Sequence, residues 1–472
     1  RANKARAAGC RDPIRIGTSR FFGFRTLQTF LRAAKNHAVT WFFVDSFKQY
    51  GNTYKMKMFG AGDSIFTIEP DNIKAVLATD FEHFDLQHRY LALKPVFGDG
   101  IFNADGERWK YARGLLRPQF VKKTIANLSK IERHFQSLFT RISKDIKDGD
   151  IMDGGKVDLQ PLFLRLALDS STDFLLGYSA NSLLQTQEEA AARTELPKEN
   201  APYKYGFMEA FDKTNSLSML AFRLGALRFL VHWRKDFREC KRIVHTFFET
   251  QIDRGIQLRK ELDGKTSDAE GNYDNFLQAL LSSTDDRLLI RDQLTNILLA
   301  GRDTTSAVLS FTLFILARHQ PAYNKLRSEV LAAFGRDTSN FSFQSLKSCT
   351  YLQWVLNEVL RLYPAVPTNR RNGNADLILP TGGGPDGKSP IFCPKGTQVY
   401  YVVFALHRRK DIYGSDADEF VPERWDSTKR KLPVGWEYLP FNGGPRICIG
   451  QQYALTEIAY IVARLLQVFE RV

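Results

Sequence analysis

Phe441-Asn442-Gly443-Gly444-Pro445-Arg446-Ile447-Cys448-Ile449-Gly450 is the stretch on which the reading of this 472-residue chain turns. A single cysteine lies in a glycine-rich loop, with an arginine two residues before it and a glycine two after. Directly downstream, Leu455, Ile458, Ala459, Val462, Leu465, Leu466 and Phe469 recur at the spacing of one buried helix face. Cys448 therefore precedes a helix N-terminus, where the positive end of the macrodipole favours a thiolate. Gly444 and Gly450 let the backbone approach closely, so that amide N–H groups point at the sulfur. A thiolate held this way suits one axial position of a haem iron, and strong donation from it favours O–O cleavage. A lone cysteine in a turn is ordinarily a buried structural residue. The arginine and glycines in register around it, and the segments below, weigh for the ligand.

Working outward, Ile290 to Arg318 predicts a long helix, with apolar residues at Leu294, Ile297, Leu298, Val308 and Ile315. At ~1.5 Å per residue it runs roughly 40 Å, the width of a domain. In its middle stands Ala300-Gly301-Arg302-Asp303-Thr304-Thr305. Glycine inside a helix costs about 1 kcal/mol against alanine, and a threonine hydroxyl there competes for a backbone carbonyl. Such a weak turn is useful where a small molecule must fit against a helix. Taken alone, it is equally a surface acid beside two helix-embedded threonines. Glu358 and Arg361, three apart, are placed to pair on a helix, and Pro422-Glu423-Arg424-Trp425 follows later. Trp109 and Arg113 share another helix face, a spacing that more often marks a packing or cation–π pair.

The decapeptide resembles the haem-binding loop of the cytochrome P450 family, Phe-x-x-Gly-x-Arg-x-Cys-x-Gly, with every fixed position filled. The Ala300 to Thr305 segment likewise matches that family's pattern of a small residue, glycine, an acid and two hydroxyl residues. The resemblance implies a mainly α fold with small β-sheets (α+β) and a long central helix across the haem. It implies haem b (iron protoporphyrin IX) as cofactor and Cys448 as the iron ligand. Phe441, Arg446 and Gly450 belong to the same cofactor-binding loop. Trp109, Arg113, Arg371, His407 and Arg446 match positions that meet the haem propionates, which guanidinium forks suit. Thr304 would hydrogen-bond bound dioxygen or its water chain, and Asp303 would relay protons. Ala300, Val366 and Pro367 would wall the substrate pocket. Glu358, Arg361 and Arg424 are carried over as a structural network.

The resemblance covers nearly the whole chain and is closest to fungal members that hydroxylate n-alkanes and fatty acids. It rests there on Thr368-Asn369-Arg370-Arg371-Asn372, the triple-glycine insert at 382–384, Trp425, and Gln451 to Glu457. It implies a monooxygenase acting on long aliphatic chains, at or near the terminal carbon. Electrons would come from a separate NADPH-dependent flavoprotein reductase, since no flavin or nicotinamide fingerprint occurs in the chain. Three alternatives stay open: oxidation of another lipophilic substrate (a sterol, xenobiotic or secondary metabolite), a haem-thiolate isomerase or dehydratase, and a non-enzymatic haem sensor. The acid–alcohol pair argues against the last two. The protein is expected to act as a monomer on a hydrophobic small molecule.

Composition agrees. The chain is 43% hydrophobic and 12% aromatic, enough for a large core. Its 66 Lys and Arg against 52 Asp and Glu leave a charge of +14, which suits an acidic protein partner or an anionic membrane surface. No nucleic-acid-binding motif is present, so a nucleic-acid partner is not expected. Five scattered cysteines, an odd number, suggest a reducing compartment rather than a disulfide framework. Residues 1–40 are rich in Arg and Lys and read as a basic arm following a membrane anchor absent from the chain. Residues 41–472 read as a single catalytic domain, expected to face the cytosol from the endoplasmic reticulum membrane. The family continues past this C-terminus with a β hairpin, so the chain is expected to be cut short at both ends.

Strands are expected over Tyr54–Phe59 and Ser64–Ile68, and the stretch 83–103 reads as irregular pocket roof. Residues 201–225 would form a lid over the pocket. The glycine-rich run Gly382 to Ser389 lacks the spacing of a phosphate loop and reads as a long turn joining two strands.

Overall fold

The computed structural model describes residues 2–16, 24–58, 62–120, 127–148, 157–184, 205–261, 275–433 and 435–470. The polar runs 188–206 and 259–273 read in the sequence as loops, and most of both, with Phe21 to Gly23, Lys122 and Lys123, lie outside the described residues. The longer helices begin with α1 (Phe24–Lys35), α2 (Val39–Tyr50), α3 (Gln87–Phe97) and α4 (Gly106–Leu116). Next come α5 (Leu128–Asp148), α6 (Leu159–Leu176), α7 (Phe207–Leu224) and α8 (Lys235–Glu261). The series ends with α9 (Arg287–Arg318), α10 (Gln320–Phe334), α11 (Thr350–Leu362) and α12 (Gln451–Val468). The chain forms two compact units, Arg1–His88 with Trp354–Ile449, and Arg89–Gln353 with Gly450–Val472.

The first unit carries the sheets. Strands β1 (Ile14–Ile16), β2 (Thr53–Met58), β3 (Gly62–Thr67) and β4 (Phe84–Asp85) precede β5 (Asn369–Gly373), β6 (Leu377–Gly383), β7 (Ser389–Cys393) and β8 (Gln398–Tyr401). Six of them form one sheet in the order β1-β2-β3-β8-β5-β4. The expected hairpin is β2 with β3, antiparallel, Tyr54 opposite Phe66 and Met56 opposite Ser64. Alternation sets the faces: Tyr54 and Met56 are buried while Lys57 is exposed. On the buried face Phe66 stacks between Tyr54, with centroids 5.4 Å apart, and Tyr400, at 4.5 Å. Fully burying one such ring stabilises by about 1.5–3 kcal/mol.

Part of the basic stretch 1–40 enters this sheet. β1 pairs in parallel with β2, and the Gly384 amide donates to the Asp12 carbonyl at 3.0 Å. The glycine-rich run joins β6 and β7 as a turn, with Gly382, Gly384 and Gly387 all at positive φ. A Cβ on Gly382 would lie 2.5 Å from that of Thr53, so only glycine fits there.

The second unit is helical. α9 is capped by the Asp286 side chain, which accepts from the Leu289 amide at 3.0 Å. It spans 32 residues, about 48 Å at ~1.5 Å per residue. Residues buried on several faces (Leu294, Leu298, Arg302, Thr305, Leu309, Leu316) place it inside the unit rather than on its surface. At Gly301 a Cβ would come within 2.7 Å of the Ser171 hydroxyl, so the glycine allows α6 to lie close against α9.

The stretch 83–103 is not irregular throughout. It contains α3, whose Ala92, Leu93, Val96 and Phe97 pack in one apolar cluster with Leu217, Ala221, Val231 and Phe237. Pro95 inside the helix hid it from pattern reading. Residues 98–103 do form a loop, and α9 holds it by the backbone. The amides of Asp99, Ile101 and Phe102 donate to Asp292 Oδ2 (2.9 Å), Gln293 Oε1 (3.0 Å) and Asn296 Oδ1 (3.0 Å). Cβ atoms on Gly98 and Gly100 would strike Asp292 and Asn296. Among the described residues no helix is long and apolar enough to cross a membrane.

Candidate active site

The cysteine loop closes on itself in the first unit. The Cys448 amide donates to the Phe441 carbonyl at 3.0 Å, and the Ile447 amide to the Gly444 carbonyl at 3.0 Å. Asn442 takes a left-handed φ of 64°, and Tyr401 Oη lies 3.1 Å from its Oδ1. Gly444, at φ +68°, sits where a Cβ would lie 1.9 Å from the Leu77 carbonyl oxygen. The loop is thereby pressed onto the segment Ala75–Thr79 and can be so only with glycine at 444. Arg446 places its guanidinium 5.9 Å from the Phe81 ring centroid. Cys448 ends the turn exposed, whereas Cys240, Cys349 and Cys393 are buried. Gly450, two residues on, is the N-cap of the 18-residue α12.

Three further residues of this unit were expected near the cofactor or its pocket. Arg371 is 3% exposed; its Nη1 donates to the Arg370 carbonyl (2.9 Å) and Asn369 Oδ1 (3.2 Å). Its Nε is buried with no hydrogen-bond partner among the described residues, a cationic donor left to be satisfied. Val366 is 45% exposed, and the Pro367 carbonyl accepts from the Phe404 amide at 3.0 Å.

His407 is a correction. It was expected among the propionate contacts, but it is fully buried and both ring nitrogens are engaged. The Leu439 amide donates to Nε2 at 2.8 Å, which assigns the ring proton to Nδ1, 3.1 Å from the Arg361 carbonyl. Burial is the main cause that pushes its pKa down to about 3, so the imidazole is neutral. A neutral ring with no donor to spare cannot hold a carboxylate. It fixes instead the backbone two residues ahead of the loop.

Glu358, Arg361 and Arg424 lie in one buried network. Arg361 forks onto Glu358 through Nε and Nη2, both at 2.8 Å, and also donates to the carbonyls of His407 (2.7 Å) and Glu419 (2.9 Å). Arg424 Nε reaches Glu358 Oε1 at 3.3 Å. The indole N–H of Trp425 donates to Glu358 Oε2 at 3.1 Å. Pattern reading noted that tryptophan but not its donor, which a phenylalanine would lack.

The second unit carries the acid–alcohol pair. Thr304 Oγ1 donates to the Ala300 carbonyl at 2.6 Å, four residues back on α9, and Ala300 itself is exposed. Asp303 is raised in pKa, chiefly by burial, which Arg302 opposes and Asp212 reinforces. Trp109 on α4 is buried, and the Arg113 guanidinium lies 5.8 Å from its ring centroid. Two features lay outside sequence reach. Arg302 bridges Asp303 to Asp212 on α7. Glu457 on α12 is 3% exposed, and burial pushes its pKa up to about 7, only partly offset by Ser170.

A mainly helical chain with an exposed cysteine closing a glycine-dependent turn ahead of a long helix, and an acid and a hydroxyl midway along a longer one, defines a haem-thiolate oxygenase. The family model described as Cytochrome P450 matches residues 24–471. Cytochrome P450 52A13 of Debaryomyces hansenii is 45% identical over 423 residues, 89% of this chain and 78% of that one. Cytochrome P450 52A3-A of Candida maltosa is 43% identical over 472 residues, covering 98% and 86%. Cytochrome P450 52E2 of Candida apicola is 39% identical over 473 residues, covering 99% and 87%. The chain belongs to the cytochrome P450 family, and it is a monooxygenase of that family.

The family implies a haem bound through a thiolate. The residues present fit that group. Cys448 offers an exposed soft ligand, its loop backbone is internally bonded, and Arg371 keeps a buried cationic donor without a partner among the described residues. Softness of sulfur for iron and a cation for a carboxylate are the chemistry such a group requires.

Proposed function

We propose that this monooxygenase hydroxylates long-chain n-alkanes or fatty acids at or near the terminal carbon. Its cofactor is haem b, and its electrons come from an NADPH-dependent flavoprotein reductase. It works as a monomer at the endoplasmic reticulum membrane, with its catalytic domain on the cytosolic side. Likeness to fungal relatives over almost the whole length supports the substrate class, and the excess of basic residues suits both an anionic membrane surface and an acidic reductase.

The observation that carries the reading is Cys448, exposed at the end of a turn that only glycine at 444 permits. Cys448 is the iron ligand, with Phe441 and Gly450 completing its loop. Arg371, Arg446, Trp109 and Arg113 hold the propionates. When bound, the haem supplies oxygen activation and the insertion of one oxygen atom into a C–H bond. The protein supplies protons and placement. Asp303, whose carboxyl is raised by burial, takes up and passes a proton near neutral pH more readily than an ordinary carboxylate. Thr304 spends its hydroxyl proton on Ala300 and keeps its oxygen lone pairs to accept from a donor. Ala300, Val366 and Pro367 wall the substrate pocket.

A titration of the haem-loaded protein with n-alkanes, fatty acids and sterols, read by the spin-state change in its visible spectrum, tests the substrate class. Long aliphatic chains are expected to shift the spectrum at micromolar concentration. A shift with sterols alone assigns the protein to another lipophilic substrate.

A further inference from the structure

Arg302 stands between Gly301 and Asp303 on α9 and is 3% exposed. Its Nη1 donates to Asp212 Oδ1 at 2.5 Å and its Nη2 to Asp212 Oδ2 at 3.2 Å, a two-bond fork onto α7. Nη1 also reaches Asp303 Oδ1 at 3.2 Å. The guanidinium carbon lies 5.9 Å from the Phe211 ring centroid, and Nε is buried without a hydrogen-bond partner among the described residues. One cation thus serves two carboxylates unequally: Asp212 has the short fork and Asp303 a single longer bond. The fork is the stronger and more geometrically demanding of the two.

We propose that Asp212 is a positioning residue for proton delivery, because its fork on Arg302 keeps that cation from closing fully on Asp303 and leaves the Asp303 carboxyl able to bind and release a proton. The inference rests on the reading of Asp303 as the proton relay. Without Asp212, the only carboxylate left to Arg302 among the described residues is Asp303, which then takes the fork itself and is held ionised. The charged groups acting on Asp303 are Arg302 on its own helix and Asp212 on α7. Losing Asp212 lowers the proton affinity of Asp303 twice over, by removing a like charge and by releasing an opposite one. A tie that merely fastened α7 to α9 would change substrate affinity and leave proton affinity alone.

Asp212→Asn is nearly isosteric, and the Asp212 side chain is 54% exposed, so the variant is expected to fold. The full chain, loaded with haem and supplied with reductase and a long-chain fatty acid, is compared with Asp212→Asn, Arg302→Gln, the double variant and Asp303→Asn. Product formed per NADPH oxidised is followed against pH. Asp212→Asn is expected to lower coupled turnover about tenfold near neutral pH, and to move the loss of coupling to lower pH. KM should stay within about twofold, the scatter of an interaction not made with substrate. In the Arg302→Gln background only the loss of the like charge remains, so the same change should shift the Asp303 titration distinctly less than it does with Arg302 in place. A readout independent of turnover is the infrared titration of the carboxyl band that Asp303→Asn removes; in Asp212→Asn it should titrate at lower pH. Unshifted titration and normal coupling in Asp212→Asn, with coupling lost in Asp303→Asn, overturn the role of Asp212 and leave that of Asp303. A raised KM with an unshifted titration reduces the contact to a fastening and overturns the proposal. Normal coupling in Asp303→Asn overturns the relay and this inference with it.

Discussion

Two arginine–carboxylate clusters, one in each unit, are built on opposite terms. Around Glu358 both carboxylate oxygens are taken by Arg361, Arg424, Trp425 and the Val421 amide, and the arginines spend their other donors on backbone carbonyls and, for Arg424, on Asp416 Oδ1. Glu358 and Arg361 are wholly buried. Around Arg302 only the cation is fully buried: Asp212 and Asp303 keep 54% and 45% of their side-chain surface exposed, Asp303 being buried enough to raise its carboxyl, and one guanidinium nitrogen has no partner among the described residues. A saturated cluster has a single arrangement and resists every change. An undersaturated one has nearly equal alternatives, which a group that must gain and lose protons requires. The first fixes backbone leading to the cysteine loop, through the His407 carbonyl and imidazole; the second is the one proposed to serve proton delivery.

The widest separation should come from stability. Glu358→Ala leaves the buried Arg361 without a carboxylate among the described residues, while Arg424 keeps Asp416, and is expected to cost about 3–5 kcal/mol, as broken buried pairs do. Asp303→Asn, in the open cluster, should cost under ~1 kcal/mol. Urea unfolding of both variants measures this, and equal losses would erase the distinction.

Glu457 sharpens it from another side, as a buried carboxyl whose charge burial opposes. Its folded pKa of about 7 lies above the ordinary value of 4.5. Between those values the unfolded chain releases a proton that the folded chain keeps, so stability falls as pH rises through the window. The integrated effect is up to about 3 kcal/mol. His407, lowered to about 3, acts oppositely, since stability falls as pH drops from 6.5 toward 3. Glu457→Gln should therefore remove a loss between pH 4.5 and 7 while leaving the acid limb; an unchanged slope would refute the shift.

Activity gives a third contrast. Asp303→Asn should lower coupled turnover about 100-fold, the lower end of the range of acid–base catalysis, and Thr304→Ala, which only accepts a hydrogen bond, about tenfold. NADPH oxidation should continue in both, so that peroxide replaces product. Coupling unchanged in either removes that residue from the proton path. An effect on stability alone is expected for Trp425→Phe. It deletes one donor to a buried carboxylate and should cost about 1.5–3 kcal/mol with coupling intact.

What could be read from the sequence follows from the range of the interactions. The turn at 441–450, the course of α9 and the pairing of Glu358 with Arg361 are local, set by spacings of two to four residues. The Asp212–Arg302 contact joins positions 90 apart, and neither residue's neighbours betray the other. His407 was placed among the propionate contacts by resemblance alone, which records a position and not the burial of the ring. Only burial and the Leu439 amide reveal a neutral ring turned inward. α3 was hidden by Pro95 and by Gly98 and Gly100, whose role is to clear space for Asp292 and Asn296. The Glu457 shift comes from packing that no periodicity records.

The grip of α9 on residues 98–103 bears on how this enzyme diversifies. Asp292, Gln293 and Asn296 grasp main-chain amides, so their hold is indifferent to which side chains positions 101 and 102 carry. Only the two glycines are obliged to stay. The side chains at Ile101 and Phe102 can therefore change while the hold of the long helix on the loop stays as it is.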